Sequence, residues 1–289
     1  MAVSLAILTD RLRWEEKALY SAASSAGLRA SIVDVKANSV DLSDESSLPE
    51  EVRGSDVVLQ RCVSHYRGLY YAAILERFNR VVINSFNTTL VTGNKLLTSL
   101  ELVKKGIPTP KTYVAFSDDA AIAFMERHGY PVVVKPVVGS WGRLVTKVDD
   151  RDDASALVEF RRMINDPTYQ VYYLQEYVRR PPRDLRAVVV GDELVAAEYR
   201  YQPPDDWRTN IARGGRAEPA RLGDAEREIV LKAAEAVGGG VLGVDAMETE
   251  EGLLVHEVNG GLEFHGVSAA TGVDVAAKII EYAVKVARR

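Results

Sequence analysis

The segment from Gly243 to Gly266 reads GVDAMETEEGLLVHEVNGGLEFHG, and it sets potential metal ligands into an apolar strand pattern. Residues 243–247 are predicted to form a buried strand, residues 248–252 a turn, and residues 253–259 the returning strand. The segment is therefore predicted to be a β-hairpin whose strands are largely buried.

Side chains alternate between the two faces of a strand, which predicts where the polar residues of this hairpin point. Alternation gives one face to Leu253, Val255, Glu257 and Asn259. A symmetric turn would place Asp245 opposite Val255 on that same face. Two carboxylates and an amide would then converge, and such oxygen ligands suit Mg²⁺ or Mn²⁺. The alternative is an acidic, solvated hairpin, although a carboxylate between apolar neighbours is rarely buried unless it is paired or metal-bound.

The composition is that of a globular protein with more than one packed lobe. Of 289 residues, 47% are hydrophobic and 27% are charged, which is ordinary for a folded chain. A net charge of −5 argues against a general binder of nucleic acid or of anionic membranes. A cytoplasmic location is expected, because no apolar run has membrane-spanning length and the amino terminus lacks a signal-peptide pattern. Cys62 is the single cysteine, which excludes an intrachain disulfide and a cysteine-based zinc site.

Residues 1–92 are predicted to form an open α/β domain. Apolar runs and helical periodicity predict strands at 4–8, 31–35, 56–60 and 81–84 and helices at 14–26 and 70–79. Arg61, His65 and Arg67 follow the third of these strands, where open α/β sheets place their ligand crevices. These three side chains are interpreted either as an anion-facing group or as ordinary loop residues.

A lysine at the end of a strand is the second chemical feature, in a lobe predicted over residues 93–170. Lys135 ends the apolar strand 131–136 and precedes the loop Val137-Val138-Gly139-Ser140-Trp141-Gly142-Arg143. Backbone N–H groups of such a loop can surround phosphate oxygens while the ammonium faces the phosphate charge. Lys95 lies in the first turn of a helix predicted at 92–105. The loop matches neither the Walker pattern nor the dinucleotide-binding pattern.

The third predicted lobe, residues 171–289, contains the hairpin. Strands are predicted at 172–178, 187–190 and 193–201, and helices at 224–237 and 273–287. The polar segment 202–219 between them is predicted to be a functional loop, because long polar loops inside compact domains are rarely without a role.

These motifs resemble those of the ATP-grasp superfamily, in the branch of ribosomal-protein glutamate ligases and amino-group-carrier-protein ligases. The resemblance covers nearly the whole chain and rests on Asn94-Lys95, Val134-Lys135-Pro136 with Gly139 to Arg143, Gln175 to Val178, Asp184-Leu185-Arg186, Trp207 to Asn210 with Gly214-Gly215, Gly243-Val244-Asp245, and His256 to Asn259. It implies an α/β protein built of α+β lobes, with an ATP-grasp fold preceded by an open α/β pre-ATP-grasp domain.

The resemblance also implies how ATP is held between two lobes. Lys95 and Lys135 would face the phosphates, Gly139 to Val145 would cover them, and Gln175 to Val178 would form the adenine hinge. The implied cofactor-binding residues are Lys95, Lys135, Gly139, Ser140, Trp141, Gly142, Arg143, Gln175, Glu176, Tyr177, Val178, Asp184, Arg186, Arg200 and Asn210.

The implied chemistry joins a carboxylate to an amine through an acyl phosphate. Arg200 and Asn210 would contact phosphate or the acyl phosphate, and Arg186 would bind a substrate carboxylate through a bidentate pair. The implied metal ligands are Asp245, Glu257 and Asn259. Two Mg²⁺ ions are expected, with Mn²⁺ as an alternative ion.

Within that branch the chain is most similar to ligases of lysine and arginine biosynthesis. These enzymes attach an amino acid, through its α-amino group, to the C-terminal glutamate of the small acidic carrier protein LysW. In them the residue after the metal-ligand Asn sorts substrates: Gly or Asp is typical of the glutamate-using ArgX branch, and Thr or Ala of the aminoadipate-using LysX branch. Asn259-Gly260 here therefore favours glutamate. A homo-oligomer, a tetramer or a dimer, is also implied.

Other interpretations stay open at the level of sequence. The chain could be a ligase that adds glutamate to a ribosomal protein or another acceptor, an ATP-binding regulatory module without catalysis, or a fold in which every motif is structural. Two groups of arginines could dock an acidic carrier electrostatically: Arg179, Arg180, Arg183 and Arg186, and Arg208, Arg213 and Arg216.

Overall fold

The computed structural model describes residues 3–204, 206–209 and 216–289. Within those ranges the chain forms three sheets with helices packed against them. No helix in these ranges is both long and apolar enough to span a membrane. The roles predicted for Asn210, Arg213, Gly214 and Gly215 fall outside the described residues.

The N-terminal unit is an open parallel sheet. Its elements are β1 (Ser4–Thr9), α1 (Trp14–Ser25), β2 (Arg29–Asp34), α2 (Glu50–Arg53), β3 (Val57–Gln60), α3 (His65–Arg77), β4 (Val82–Ile83) and α4 (Phe86–Thr92). The strand order is β2-β1-β3-β4 and every pair is parallel. β1 lies inside the sheet and all six of its residues are buried, as expected for a strand covered on both faces.

The second unit is a four-stranded antiparallel sheet. It comprises α5 (Lys95–Lys104), β5 (Thr112–Ala115), α6 (Asp118–His128), β6 (Val132–Lys135), β7 (Thr146–Val148), α7 (Arg151–Arg162) and β8 (Tyr172–Glu176). The strand order is β5-β8-β6-β7. Val132 and Val134 of β6 pack with Met125 of α6 and Leu157 of α7 in one core. The alternate residue Lys135 therefore points away from that core, toward the third unit.

The third unit is a five-stranded antiparallel sheet. It comprises β9 (Arg183–Val190), β10 (Glu193–Tyr201), β11 (Arg216–Pro219), α8 (Asp224–Ala236), β12 (Val241–Thr249), β13 (Gly252–Asn259), α9 (His265–Thr271) and α10 (Val275–Ala287). The strand order is β11-β10-β9-β12-β13.

The two faces of this sheet have different surroundings. Leu185 and Val244 belong to the face that packs with α8. Val188 and Val241 lie on the opposite face, in a core shared with β1, α1 and α10, which joins the third unit to the N-terminal sheet. Farther along the strands that second face becomes charged, and there it borders a cleft.

The predicted hairpin forms, but its register differs from the prediction. Asp245 is opposite Glu257, not opposite Val255, because the pairing shifts between Asp245 and Ala246. The shift is a β-bulge in which β13 gains one residue, His256, relative to β12. Leu253, Val255 and Val258 consequently share the apolar core, so the shared face predicted from simple alternation was wrong. The bulge turns Glu257 and Asn259 to the cleft instead.

Other differences arise where polar residues belong to regular elements. β9 begins at Arg183 rather than 187, so the Asp184 motif is part of a strand, and β11 lies inside the segment predicted as a loop. Helices α2, α4, α7 and α9 were not predicted. The first half of β9 alternates charged side chains that face the cleft with Leu185 and Ala187, which are buried. A segment with so many charged residues resembles a loop in composition, although its alternation is that of a strand.

Candidate active site

One cleft of about 690 Å³ brings the predicted residues of all three units together. Its walls include residues of the predicted phosphate-covering loop, the adenine hinge, both lysines and the charged face of the third sheet. Every predicted site residue that lies within the described ranges lines this cleft. The fold therefore gathers motifs that lie far apart in the sequence.

A row of four charged side chains crosses the floor of the cleft. Register places Glu198 of β10 opposite Arg186 of β9, Arg186 opposite Asp245 of β12, and Asp245 opposite Glu257 of β13. Directly opposed residues in a sheet point to the same face. The guanidinium of Arg186 donates from Nε and Nη2 to the two oxygens of Asp245, both at 2.7 Å. These are the same guanidinium donors of Arg186 that the family resemblance assigned to a substrate carboxylate.

A second, deeper arrangement surrounds Arg200. Its Nε and Nη2 donate to the two carboxylate oxygens of Asp184 at 2.8 Å, and Nη2 is also 3.2 Å from Asp245 Oδ2. The hydroxyl of Thr209 donates to Asp184 as well. Arg200 is 4% exposed, so it is held between two carboxylates before any phosphate arrives.

These contacts set the protonation of the acidic residues. Burial alone would raise the pKa of Asp245, but Arg186 and Arg200 outweigh it and hold the pKa well below its usual range. Burial likewise opposes ionisation of Glu257, and Lys95 outweighs it, so the pKa of Glu257 is also lowered. Both carboxylates are therefore ionised at neutral pH and able to face a cation.

The oxygen atoms of the hairpin fit a hard divalent ion. Asn259 Nδ2 donates to Asp245 Oδ2 at 3.3 Å, so the amide oxygen is directed away from Asp245. Glu257 Oε1 accepts from Lys95, which leaves Oε2 for another partner. Two carboxylates and an amide oxygen match the preference of Mg²⁺. Within the described ranges no three His, Cys, Asp or Glu side chains come together as a metal site, so the proposed ligand set depends on the amide of Asn259 as its third member.

Two lysines of the second unit line the cleft. Lys95 begins α5, whose N-cap Asn94 accepts from the backbone N–H groups of Leu96 and Leu97. Lys95 Nζ donates to Gly139 O at 2.7 Å and to Glu257 Oε1 at 3.0 Å. Lys135 is buried and donates to Gln175 Oε1 at 2.6 Å, and burial lowers its pKa to about 8.

The loop after Lys135 folds over the cleft. Trp141, Gly142 and Leu144 all have φ between 56° and 63°, and these left-handed residues curl the backbone tightly. Arg208 Nη1 donates to Gly142 O at 3.2 Å and Val145 O at 3.4 Å, which ties the loop to the third unit.

A second contact joins the same loop to the opposite wall. Trp141 Nε1 donates to Glu263 Oε2 at 3.4 Å. Glu263 in turn accepts from Arg13 at 3.1 Å, and Arg13 precedes α1 of the N-terminal unit. The loop is therefore held from both sides of the cleft. The cation of Arg143 stacks over the Trp141 ring at 4.9 Å.

The predicted adenine hinge lies at the end of β8. Gln175 is buried, and its amide nitrogen donates to Thr112 Oγ1 and Tyr173 OH. These bonds fix the amide oxygen that accepts from Lys135, so Gln175 orients the Lys135 ammonium. Glu176 accepts from the backbone N–H of Lys111 at 2.8 Å. Tyr177 and Val178 line the cleft.

The position after Asn259 is constrained by packing. A Cβ atom added to Gly260 would lie 2.5 Å from Thr92 Oγ1, a separation that forces a shift. Asn84 closes the same region by donating to Gly260 O and Val241 O. A larger residue at position 260, which is predicted to sort substrates, would therefore require Thr92 to move.

The arginines outside the motifs are mostly engaged in the fold. Arg61 is buried and donates to Leu262 O, and Arg67 pairs with Asp10. Arg180 donates to backbone carbonyls of residues 181, 183 and 207, and Arg183 pairs with Glu248. A carrier-docking patch built on the first arginine group is therefore reduced to Arg179, which is exposed. His65 lines the cleft instead.

Sequence reasoning gave no role within this cleft to four residues that shape it. Arg208 and Thr209 lie inside a quoted motif but contact the loop and Asp184, which no spacing reveals. Glu198 had a usable signal, because it precedes Arg200 by two residues in a strand and so shares its face. His256, the bulge residue, is half-buried with both ring nitrogens covered; its Nε2 lies 3.9 Å from Asp184, and desolvation lowers its pKa to about 4.

Family comparisons agree with this geometry. Residues 92–283 match the model of the RimK-like ATP-grasp domain, and residues 5–91 match the LysX preATP-grasp domain. The chain is similar to the alpha-aminoadipate–LysW ligase LysX of Saccharolobus solfataricus, at 36% identity over 94% of this chain and 97% of that protein. It is also similar to the glutamate–LysW ligase ArgX of Sulfolobus acidocaldarius, at 34% identity over 96% and 97%.

A solved structure gives the same answer for the fold. The RimK domain ATP-grasp protein of Sphaerobacter thermophilus superposes with a TM-score of 0.81 at 26% identity, over 98% of this chain and all of that one. The predicted fold, an ATP-grasp fold behind a pre-ATP-grasp domain, is thereby confirmed.

Proposed function

This chain belongs to the RimK-like ATP-grasp family, and from that premise we propose that it joins the C-terminal glutamate of the carrier protein LysW to the α-amino group of glutamate. It is an ATP-dependent carboxylate–amine ligase, as its relatives are. The proposed step belongs to arginine biosynthesis and extends to lysine biosynthesis if aminoadipate is also accepted. A homotetramer or dimer is the expected assembly, and light scattering tests it.

The observation that carries the proposal is the single cleft in which Lys95, Lys135 and the charged row meet. ATP-grasp ligation needs phosphate charge neutralised and two substrates positioned, and it uses no protein nucleophile. The LysX-type domain at residues 5–91 supports a LysW ligase over a ribosomal-protein ligase, because that domain forms one wall of the cleft.

Each side chain then has a defined task. Lys135 and Lys95 face the phosphates, and the loop from Gly139 covers them. Asp245, Glu257 and Asn259 would hold Mg²⁺, which supplies further neutralisation of phosphate charge. Two ions are proposed, with Mn²⁺ as a substitute. Asn210 is proposed, on the resemblance alone, to contact the acyl phosphate.

The arginines complete the proposed site. Arg200 is fixed by Asp184, so it offers a positioned charge to phosphate through its remaining donors. Arg186 is proposed to meet a substrate carboxylate. In this structure its Nε and Nη2 donate to Asp245, so that pair would have to open for a substrate carboxylate to take the same donors.

The choice of glutamate rests on Asn259-Gly260. The relatives quoted above include one enzyme for each amino acid at similar identity, so overall similarity does not favour either. Aminoadipate is the alternative substrate. Because Gly260 also packs against Thr92, a substitution there tests specificity only if Thr92 is shortened at the same time, as in Gly260→Thr with Thr92→Ala.

The direct experiment combines purified protein, ATP, Mg²⁺, LysW and one amino acid, followed by mass spectrometry of the carrier. A mass increase with glutamate and a smaller yield with aminoadipate is expected. The reverse ratio assigns the aminoadipate branch. No modified carrier with either amino acid, while a ribosomal protein acceptor is modified, would contradict the proposal.

A further inference from the structure

Glu198 is a buried carboxylate that the proposed reaction has not yet used. It is 3% exposed and lines the cleft. Its Oε2 atom has no hydrogen-bond partner within the ranges that the structure describes. Arg200, two residues along the same face of β10, has its carboxylate partners in place, whereas this oxygen of Glu198 has none among the described residues.

The two arginines near Glu198 do not fully offset the cost of burying its carboxylate. Burial raises the pKa of Glu198, and the charges of Arg186 and Arg200 oppose that effect without cancelling it. A buried oxygen without a donor costs stability. Such a group persists in a cleft wall when a ligand supplies the missing donor, and the donor that best suits an ionised carboxylate is a cation.

The place of Glu198 in the charged row separates it from Lys95, one of the two lysines proposed to face the phosphates. Glu257 and Lys95 occupy one end of the row, on β13, and Glu198 occupies the other end, on β10. Three strand intervals separate those ends, roughly 14 Å at the usual strand spacing. A second substrate bound beside Glu198 would therefore lie beyond the nucleotide, toward α9, which packs against β10 and β11.

We propose that the carboxylate of Glu198 binds the amino group of the incoming amino acid and orients it toward the activated carboxylate. This inference rests on the proposed ligase function and adds the recognition site for its amine substrate. The amino group is the one cationic donor that every amino acid carries at neutral pH. Arg186, directly opposite Glu198, presents the opposite charge, so the pair offers complementary charges to a zwitterion.

The test uses a second nucleophile that does not need Glu198. Hydroxylamine is uncharged near neutral pH and traps an acyl phosphate as a hydroxamate. With ATP, Mg²⁺ and LysW but no amino acid, the wild-type protein should form carrier hydroxamate. If it forms none, the proposed function fails, whatever Glu198 does.

The variant of interest is Glu198→Gln, which keeps the size of the side chain and removes its charge. Its KM for glutamate should rise by about tenfold or more, the equivalent of one charge-assisted hydrogen bond, while its KM for ATP and its rate of hydroxamate formation stay within about twofold. Glu198→Asp, which keeps the charge, should lie between the variant and wild type. Glu193→Gln is the matched control, because Glu193 is exposed at the far end of β10 and is 3.7 Å from Lys278.

An inhibitor without an amine separates recognition from general damage. Glutarate has the carboxylates of glutamate but no amino group, so its inhibition constant should be the same for wild type and Glu198→Gln. An unchanged KM for glutamate in the variant overturns the inference. Equal loss of hydroxamate formation, or weaker binding of ATP and Mg²⁺, also overturns it, because the side chain would then serve the nucleotide site.

Discussion

The ammonium of Lys135 is buried and donates to Gln175, and its pKa falls to about 8 because burial disfavours the charge. Phosphate groups placed beside it would restore the protonated form, since an opposite charge raises the pKa of a lysine. ATP binding at pH 8 should therefore take up about half a proton per site, and much less at pH 7.

Calorimetric titration of ATP in buffers of different ionisation enthalpy measures that uptake. Lys135→Arg is the control, because arginine stays protonated at every pH used. Equal binding enthalpies in all buffers at pH 8 would show that Lys135 does not face the phosphates.

Substitutions of Asp245 and Glu257 should differ in their effect on the free energy of unfolding, although both residues are proposed metal ligands. Asp245→Asn leaves Arg186 and Arg200 without a shared counter-charge, so the free energy of unfolding should fall by about 3–5 kcal/mol. Glu257 is 24% exposed in its side chain and, among the described residues, pairs with Lys95, so Glu257→Gln should cost about 1 kcal/mol or less. Both should lower turnover at least about a hundredfold.

Urea denaturation and steady-state assays at saturating Mg²⁺ measure the two effects separately. Near-normal turnover in Glu257→Gln would remove the metal assignment. Equal stability of the two variants would mean that Asp245 is not the counter-charge of both arginines.

At the level of elements, the loop over the cleft depends on Arg208. Its guanidinium contacts Gly142 O and Val145 O and is itself held by Asp206 at 2.9 Å. Arg208→Ala should free the loop and lower kcat/KM for ATP by about tenfold or more, because phosphate cover is lost. Limited proteolysis should cut the variant faster within residues 141–143.

Arg216→Ala is a suitable comparison for Arg208. Arg216 pairs with Glu218 and stacks on Tyr201, away from the loop, so its loss should leave ATP use and cleavage unchanged. If the two variants behave alike, the loop is not held by Arg208.

At the level of the whole molecule, His256 links stability to pH. Its folded pKa is about 4 against an ordinary value of 6.5, because burial disfavours the imidazolium. Between those values the unfolded chain binds a proton that the folded chain does not, so this contribution to stability is complete above pH 6.5 and is lost as pH falls toward 4. The loss between pH 7 and pH 5 should be about 2 kcal/mol.

Urea denaturation at pH 7 and pH 5, on wild type and on His256→Gln, isolates this residue. The difference between the two pH values should be smaller in the variant. The lowered pKa of Asp245 acts in the same direction but below pH 4, so it does not obscure the comparison. An identical pH dependence in both proteins would mean that His256 is already protonated or exposed in the folded state.

The sequence by itself determined the family, the ATP-grasp fold and the residues that meet in the cleft. It could do so because short motifs in family order carry the resemblance to ATP-grasp ligases, and because local patterns single out Lys135 at the end of a strand and Asp245 and Glu257 on neighbouring strands. It also identified the chain as an ATP-dependent ligase through motifs in family order.

Only the tertiary structure decided how those residues are paired. The bulge at His256 sets the register that places Asp245 opposite Glu257, and local alternation cannot reveal an extra residue because it depends on the partner strand. The engagement of Arg200 by Asp184 and the unpartnered oxygen of Glu198 likewise depend on strand neighbours. Alternation says which side chains share a face only within a strand that has no bulge, and the free energy of each buried charge is set by the particular groups that the fold brings beside it.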